Sequence, residues 1–263
     1  MKRFVAGALG VLAVVVSASF ASAKVATRSF DYKEGDTILG GFIAYDDAKK
    51  GKRPAVLMFA QYTGFSEHER TNAVALAKLG YVVMVADVYG KGINPPAPKA
   101  AAEEMGKYTK NRPLLRARAK AGLERLLSER NVDPARIAAV GYCFGGAGAL
   151  ELGRQGADVK AIVSLHGTLW NPTPADAANI KSKVLILHGA DDPAVAPAEV
   201  DAFKAEMKDA NIDLTFVAYS QTRHSFSIAT AGNDNTKNSA YNERSAKRAF
   251  AAMSDFLQET VGR

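Results

Sequence analysis

The sequence predicts an α/β fold: a mostly parallel central sheet with helices on both faces, entered through an N-terminal antiparallel hairpin. Three observations carry this. Residues 55–60, 81–88, 137–142 and 161–165 are almost continuously apolar instead of alternating, as strands covered on both faces must be. Amphipathic segments separate these runs, and strand–helix alternation of this kind builds parallel sheets. Ahead of them, 28–32 and 38–45 flank Glu34-Gly35-Asp36, a turn sequence between two β-rich runs.

Before the hairpin, Lys2 and Arg3 precede the apolar run 4–16, and Ala21-Ser22-Ala23 follows. A charged start, a short apolar run and a small-x-small site form the pattern of a secretory signal peptide, residues 1–23. The run falls short of the ~20 residues that a membrane span needs. The expected working chain is therefore residues 24–263, one domain, periplasmic or secreted, with no membrane contact after cleavage. Without Lys2 and Arg3 the formal charge falls from +7 to +5, the balance of 32 basic and 27 acidic residues. The basic residues are dispersed and not interleaved with aromatics, which argues against a nucleic-acid partner.

Beyond the hairpin the elements follow in turn. Ser66-Glu67-His68-Glu69 is a capping box that opens a helix running to Leu79 and Gly80. Helices are expected over 98–111 and 113–130, each opened by a proline, then over 144–154, 197–210 and about 239–261. The last places Ala246, Ala249, Phe250, Met253 and Leu257 on one face. Residues 184–187 and 214–219 complete the strands. Folds of this class bind ligands at the carboxyl ends of their strands.

At one such end lies the only cysteine, in Gly141-Tyr142-Cys143-Phe144-Gly145-Gly146. A lone thiol cannot form an internal disulfide, and in an oxidising compartment it is either buried or retained for its reactivity. The flanking glycines permit a sharp strand-to-helix turn, the G-x-S-x-G elbow with cysteine in place of serine. A helix amino terminus there favours a thiolate and offers N–H groups to a developing oxyanion. A nucleophile of this kind needs a base, and the base needs an orienting acid. Elbow enzymes present them in the chain order nucleophile, acid, histidine. His224, after the final strand, is the base by that order. His68 reads as a surface residue in a helix cap, while His166 and His188 follow inner strands and could line the site. His188-Gly189-Ala190-Asp191-Asp192-Pro193 supplies the acid, with Asp192 favoured and Asp191 read as a turn residue.

Together Gly141-x-Cys143-x-Gly145-Gly146, Gly189-x-x-Asp192-x-x-Val195 and His224-Ser225-Phe226 resemble the dienelactone hydrolase family of α/β-hydrolases. The likeness spans nearly all of residues 24–263. It implies hydrolysis of small-molecule esters or lactones through Cys143, His224 and Asp192 and an acyl-enzyme, without metal or cofactor. It also implies an oxyanion hole made by the backbone N–H groups of Tyr62 and Phe144. The chain departs from the family at three positions. Gln61 stands where the family carries a glutamate that helps activate the thiol. Lys91 and Ile228 stand where arginines hold the carboxylate of dienelactone, so a less charged ester or lactone is expected. A second reading keeps the fold but not the catalysis, as a small-molecule binding protein, with Gln61 as its sign.

Overall fold

The computed structural model describes residue 1 and residues 24–262. The signal peptide expected over 1–23 lies, apart from residue 1, outside the described residues. The hairpin forms from β1 (Val25–Glu34) and β2 (Thr37–Asp46), paired in register from Val25↔Asp46 to Glu34↔Thr37. Each strand runs further than its apolar stretch, because the two-residue turn Gly35-Asp36 lets pairing continue to both ends. Gly35 takes φ 53°, which only glycine enters without cost.

The remaining strands are β3 (Arg53–Phe59), β4 (Val82–Ala86), β5 (Val132–Tyr142), β6 (Ala161–Leu165), β7 (Lys183–Gly189) and β8 (Leu214–Tyr219). They join the hairpin in one eight-stranded sheet of order β1-β2-β4-β3-β5-β6-β7-β8. Pairing is antiparallel between β1, β2 and β4 and parallel from β4 to β8. Helices α1 (Glu67–Lys78) and α6 (Glu243–Thr260) cover one face, over Val56, Met58, Val83 and Tyr142. The other face carries α2 (Pro98–Thr109), α3 (Arg112–Leu127), α4 (Phe144–Arg154) and α5 (Pro197–Asp209), over Leu57, Phe59, Met84 and Ile162. Neighbouring residues of one strand thus enter different cores, which is why the strands are apolar at every position. Among the described residues no helix is long and apolar enough to cross a membrane.

Of the boundaries that differ from expectation, three have a clear local reason. Strand β4 stops at Ala86, not 88, because Asp87 turns its carboxylate onto neighbouring backbone. Its Oδ1 accepts from Tyr89 N–H at 2.9 Å and Gly90 N–H at 3.0 Å, and its Oδ2 from Gly40 N–H at 2.9 Å. Strand β5 starts at Val132, not 137, since Arg53 pairs with Val132 across a register shift. Helix α6 starts at Glu243, not about 239, with Asn242 capping Ser245 N–H at 3.1 Å. The residues before it bond a loop instead: Ala240 N–H donates to the His224 carbonyl and Asn242 N–H to that of Phe226, both at 3.0 Å. Helices α2, α3 and α5 also end one to three residues early, within ordinary end fraying.

A connected group of buried charges lies between α3, α4 and α5. Arg154 is 1% exposed and grips both oxygens of Glu206 at 2.9 Å. It also donates to Glu151, which Arg112 and Arg116 reach at 2.6 and 2.7 Å. Removing one member of a buried pair leaves the other desolvated and alone. Arg154→Met is therefore expected to lower stability by about 3–5 kcal/mol in urea denaturation; a loss below about 1 kcal/mol would show that the pair contributes nothing net.

Candidate active site

Strands β5, β7 and β8 end on the same edge of the sheet, and their following loops bring Cys143, Asp192 and His224 together. Cys143 takes φ 53° and ψ −118°, a strained conformation for any residue with a side chain. The turn holds because Cys143 N–H donates to the Leu165 carbonyl at 3.0 Å, while Gly146 N–H donates back to the Cys143 carbonyl at 3.0 Å. Its glycines are steric necessities. A Cβ on Gly141 would lie 1.9 Å from the Gly145 carbonyl oxygen, and one on Gly145 would lie 2.3 Å from that of Phe59. Helix α4 is thereby pressed against the end of β3, where the loop carrying Tyr62 begins.

His224 Nε2 lies 3.2 Å from Cys143 Sγ, and its Nδ1 lies 2.8 Å from Asp192 Oδ2. The Asp192 side chain is fully covered and that of His224 is 12% exposed. Asp192 Oδ1 accepts from Ala194 N–H at 2.8 Å, which fixes the carboxylate plane. The acid and histidine loops are bonded to each other as well. Asp191 N–H donates to the Thr222 carbonyl at 3.0 Å and Arg223 Nη1 donates to the Asp191 carbonyl at 3.2 Å. A Cβ on Gly189 would meet the Thr222 carbonyl oxygen at 2.5 Å, so glycine is what allows this approach.

Burial of the His224 ring opposes its protonation. The hydrogen bonds to Asp192 and Cys143, together with their charges, outweigh it and push the imidazole up to about 10. The other histidines move the opposite way. His166, fully buried, is held well below the usual range by burial and then by the charge of His224. Its Nε2 bonds Ser227 Oγ at 2.8 Å and its ring packs edge-on against His224, with centroids 5.3 Å apart. His188, lowered by burial, packs on Phe216 behind the acid loop. His68 is not a surface residue: its half-buried ring stands edge-on to Tyr142 at 4.6 Å, and burial pushes it down to about 4.

The loop after β3 carries Gln61 and Tyr62. Gln61 shares a narrow crevice with Gly64, Tyr89 and Phe144, beside the elbow. Tyr89, which the sequence did not single out, donates its hydroxyl to the Tyr62 carbonyl at 2.8 Å and stacks on Phe144 at 5.7 Å. Burial and the nearby Cys143 sulfur both push its phenol upward, so it remains a donor. Nothing in its surroundings, an ordinary post-strand loop, separates it in sequence from its neighbours. Lys91 departs from the expected site-lining position. Its ammonium pairs with Asp31 of β1 at 2.6 Å and is 58% exposed. The cavity it lines, between the hairpin and residues 87–94, contains neither Cys143 nor His224.

The sequence profile of the dienelactone hydrolase family matches residues 39–261. The chain belongs to the dienelactone hydrolase family. A Yersinia pestis protein provisionally named carboxymethylenebutenolidase is 24% identical over 240 residues, covering 86% of this chain and 85% of that one. Among solved structures, m3DLH is 34% identical with a TM-score of 0.87, over 90% of this chain and 99% of that one. A dienelactone hydrolase-like promiscuous phosphotriesterase from metagenomic libraries is also 34% identical, with a TM-score of 0.86, over 90% and 98% of the two chains. This dienelactone hydrolase family member thus has the α/β-hydrolase fold, with its hairpin at one edge of the sheet.

The electrostatics of His224 are open to measurement. In protein with 15N-labelled histidine, both His224 ring nitrogens are expected to carry protons at pH 8 and to titrate near 10. Cys143→Ala removes one of the raising contributions and should move the titration down. A neutral His224 at pH 7 in the unmodified protein would contradict the assigned pairing.

Proposed function

We propose that this ester- and lactone-type hydrolase is an exported enzyme working through a Cys143–His224–Asp192 triad and an acyl-enzyme. The observation that carries the reading is the unbroken contact from Asp192 through His224 to the strained Cys143. His224 Nε2 takes the thiol proton, and the thiolate attacks the ester carbonyl carbon. The backbone N–H groups of Tyr62 and Phe144 meet the oxyanion. Collapse expels the alkoxide, which His224 protonates, and leaves a thioester on Cys143. Neutral His224 then draws a proton from water, whose oxygen attacks the thioester; carboxylic acid leaves and the thiol is restored. In a lactone the departing alcohol remains tethered to the acyl group until that second step.

Two features shape the substrate and the resting state. The positions of the family's carboxylate-binding arginines hold a lysine engaged by Asp31 and a buried isoleucine, which favours an uncharged ester or lactone. Gln61 can donate or accept a hydrogen bond but cannot take a proton, so thiolate formation rests on His224.

With p-nitrophenyl acetate and δ-valerolactone as substrates, Cys143→Ala and His224→Ala should each lose about a hundredfold or more in rate. An acetyl group should be trapped on the Cys143 peptide at short times. Full activity in Cys143→Ala, or an equal loss in His188→Ala, would sink the assignment. Gln61→Glu should slow alkylation of the resting enzyme by iodoacetamide, because a neighbouring carboxylate opposes thiolate formation; unchanged rates would mean that residue 61 does not face the thiol. Export predicts Lys24 as the first residue of the protein recovered from cells, and an intact Met1 would refute it.

A further inference from the structure

His166 is a buried titratable group beside the site that the proposed reaction leaves unused. It follows β6 directly and takes φ 39°, a left-handed backbone that is costly for a residue with a side chain. Its N–H donates to the Leu187 carbonyl at 2.8 Å, so β7 holds the strained turn in place. The residue is wholly covered.

Three members of one loop surround its ring. His224 and Phe226 each pack edge-on with centroids 5.3 Å away, and Ser227 Oγ lies 2.8 Å from Nε2. That loop bends at Ser225, which takes φ 57°, and Ile228 N–H closes the bend onto the Ser225 carbonyl at 2.9 Å. The loops after β6 and β8 are thus both strained where they meet, and such strain persists only where surrounding contacts impose it. The bond to Ser227 is what an imidazole adds to this contact. Nδ1 has no partner among the described residues, and a buried unpaired polar atom lowers stability. An apolar ring of similar shape would carry no such atom, but it could not bond Ser227. Burial, and then the imidazoles of His224, His68 and His188, hold His166 neutral, so it sets no second charge beside the base.

We propose that His166 is a positioning residue for the base: by bonding Ser227 and packing on the His224 ring, it keeps His224 within reach of both Cys143 and Asp192. This role rests on the triad reading and adds to it a side chain that acts only through the base. A swing of the loop would lengthen the 3.2 Å contact of Nε2 with Sγ or the 2.8 Å contact of Nδ1 with Asp192. Those are the two bonds that raise the His224 imidazole. Losing the Ser227 bond should therefore show in the proton affinity of His224 and in turnover, not in substrate binding.

Ser227→Ala, His166→Phe and the double variant test this, with p-nitrophenyl acetate as substrate and 15N-labelled histidine for the titration. Ser227→Ala leaves the strained backbone at 166 untouched, so it remains informative if His166→Phe fails to fold. Each single variant should lower kcat about three- to tenfold with KM unchanged, the worth of one hydrogen bond. Each should also move the His224 titration down by about 0.5–1 pH unit, the same factor expressed as proton affinity. Because both changes break one bond, the double variant should be no worse than the poorer single variant. A purely structural role would lower the urea midpoint and leave the His224 titration where it is. An unmoved titration in Ser227→Ala, or losses that multiply in the double variant, overturns the proposal. Cys143→Ala measured alongside separates the two levels. Full activity there removes the triad reading itself; inactivity there, with Ser227→Ala unchanged in turnover and titration, removes the role of His166 alone.

Discussion

The turn from β5 into α4 is the constraint on which the rest of the site depends. Cys143 can occupy φ 53° only because the chain on each side is locked. Its own N–H is spent on β6, and the first turn of α4 lies against the carbonyl oxygens that end β3. Relaxing the strain would require α4 to lift away from Phe59, and with it a helix whose buried side chains include Leu150 and Leu152. A buried helix is worth far more than the one to three kcal/mol that a strained residue costs. The sheet therefore holds the sulfur out at its carboxyl edge, where β7 and β8 also finish.

Distance along that edge then decides which groups can act. Strands β5 and β8 are separated by β6 and β7, so a histidine placed at the end of β8 itself would stand several strand widths from the sulfur. The loop after β8 closes this gap. Phe226, fully buried, packs against Tyr219 and His166, and the backbone of 224–226 is held by Ala240 and Asn242. Asp192 reaches the far side of the imidazole because Gly189 lets its loop lie directly on residues 222–223. The result is a ring gripped at both nitrogens, whose protonated form is favoured despite its burial. Next to it His166 is more fully enclosed, its ring's one hydrogen bond among the described residues goes to a hydroxyl, and it is driven the other way. Position in the sheet brings both histidines near the sulfur; an adjacent carboxylate distinguishes them.

Much of this was legible in the residues, and what was not has a common cause. Continuous apolar runs identify strands with two cores, and chain order with the glycine elbow identifies Cys143, Asp192 and His224 as the residues that meet. Those patterns are local, or depend on a topology that local patterns imply. The misplacements come from contacts between segments distant in sequence. Asp87 ends β4 early because Gly40, on a different strand, offers it an N–H. Residues 239–242 read as helix from their periodicity, but the His224 loop claims their backbone first. Lys91 reads as a site cation by analogy, yet Asp31 of the hairpin holds it. His68 resembles a solvated cap residue until Tyr142 is seen against its ring.

The loop that carries Gln61 and Tyr62 shows how positioning can be supplied without a carboxylate at position 61. Three hydrogen-bonded attachments hold it. Tyr89 OH bonds the Tyr62 carbonyl, and Tyr89 is itself held by Tyr108 OH at its own carbonyl, both at 2.8 Å. Gly64 N–H closes a turn onto the Gln61 carbonyl at 2.9 Å. Glu69, fully buried, accepts from Ser66 N–H at 2.9 Å and from Gln61 N–H at 3.4 Å, so the carboxylate that caps α1 also tethers the start of the loop. A backbone donor stabilises an oxyanion in proportion to how little it must move when charge appears. Gln61 cannot take a proton as a carboxylate could, but none of these attachments passes through the side chain at 61. In the proposed mechanism, thiol activation and oxyanion placement are therefore separable: the first rests on His224 and Asp192, the second on a loop clamped by Tyr89 and Glu69.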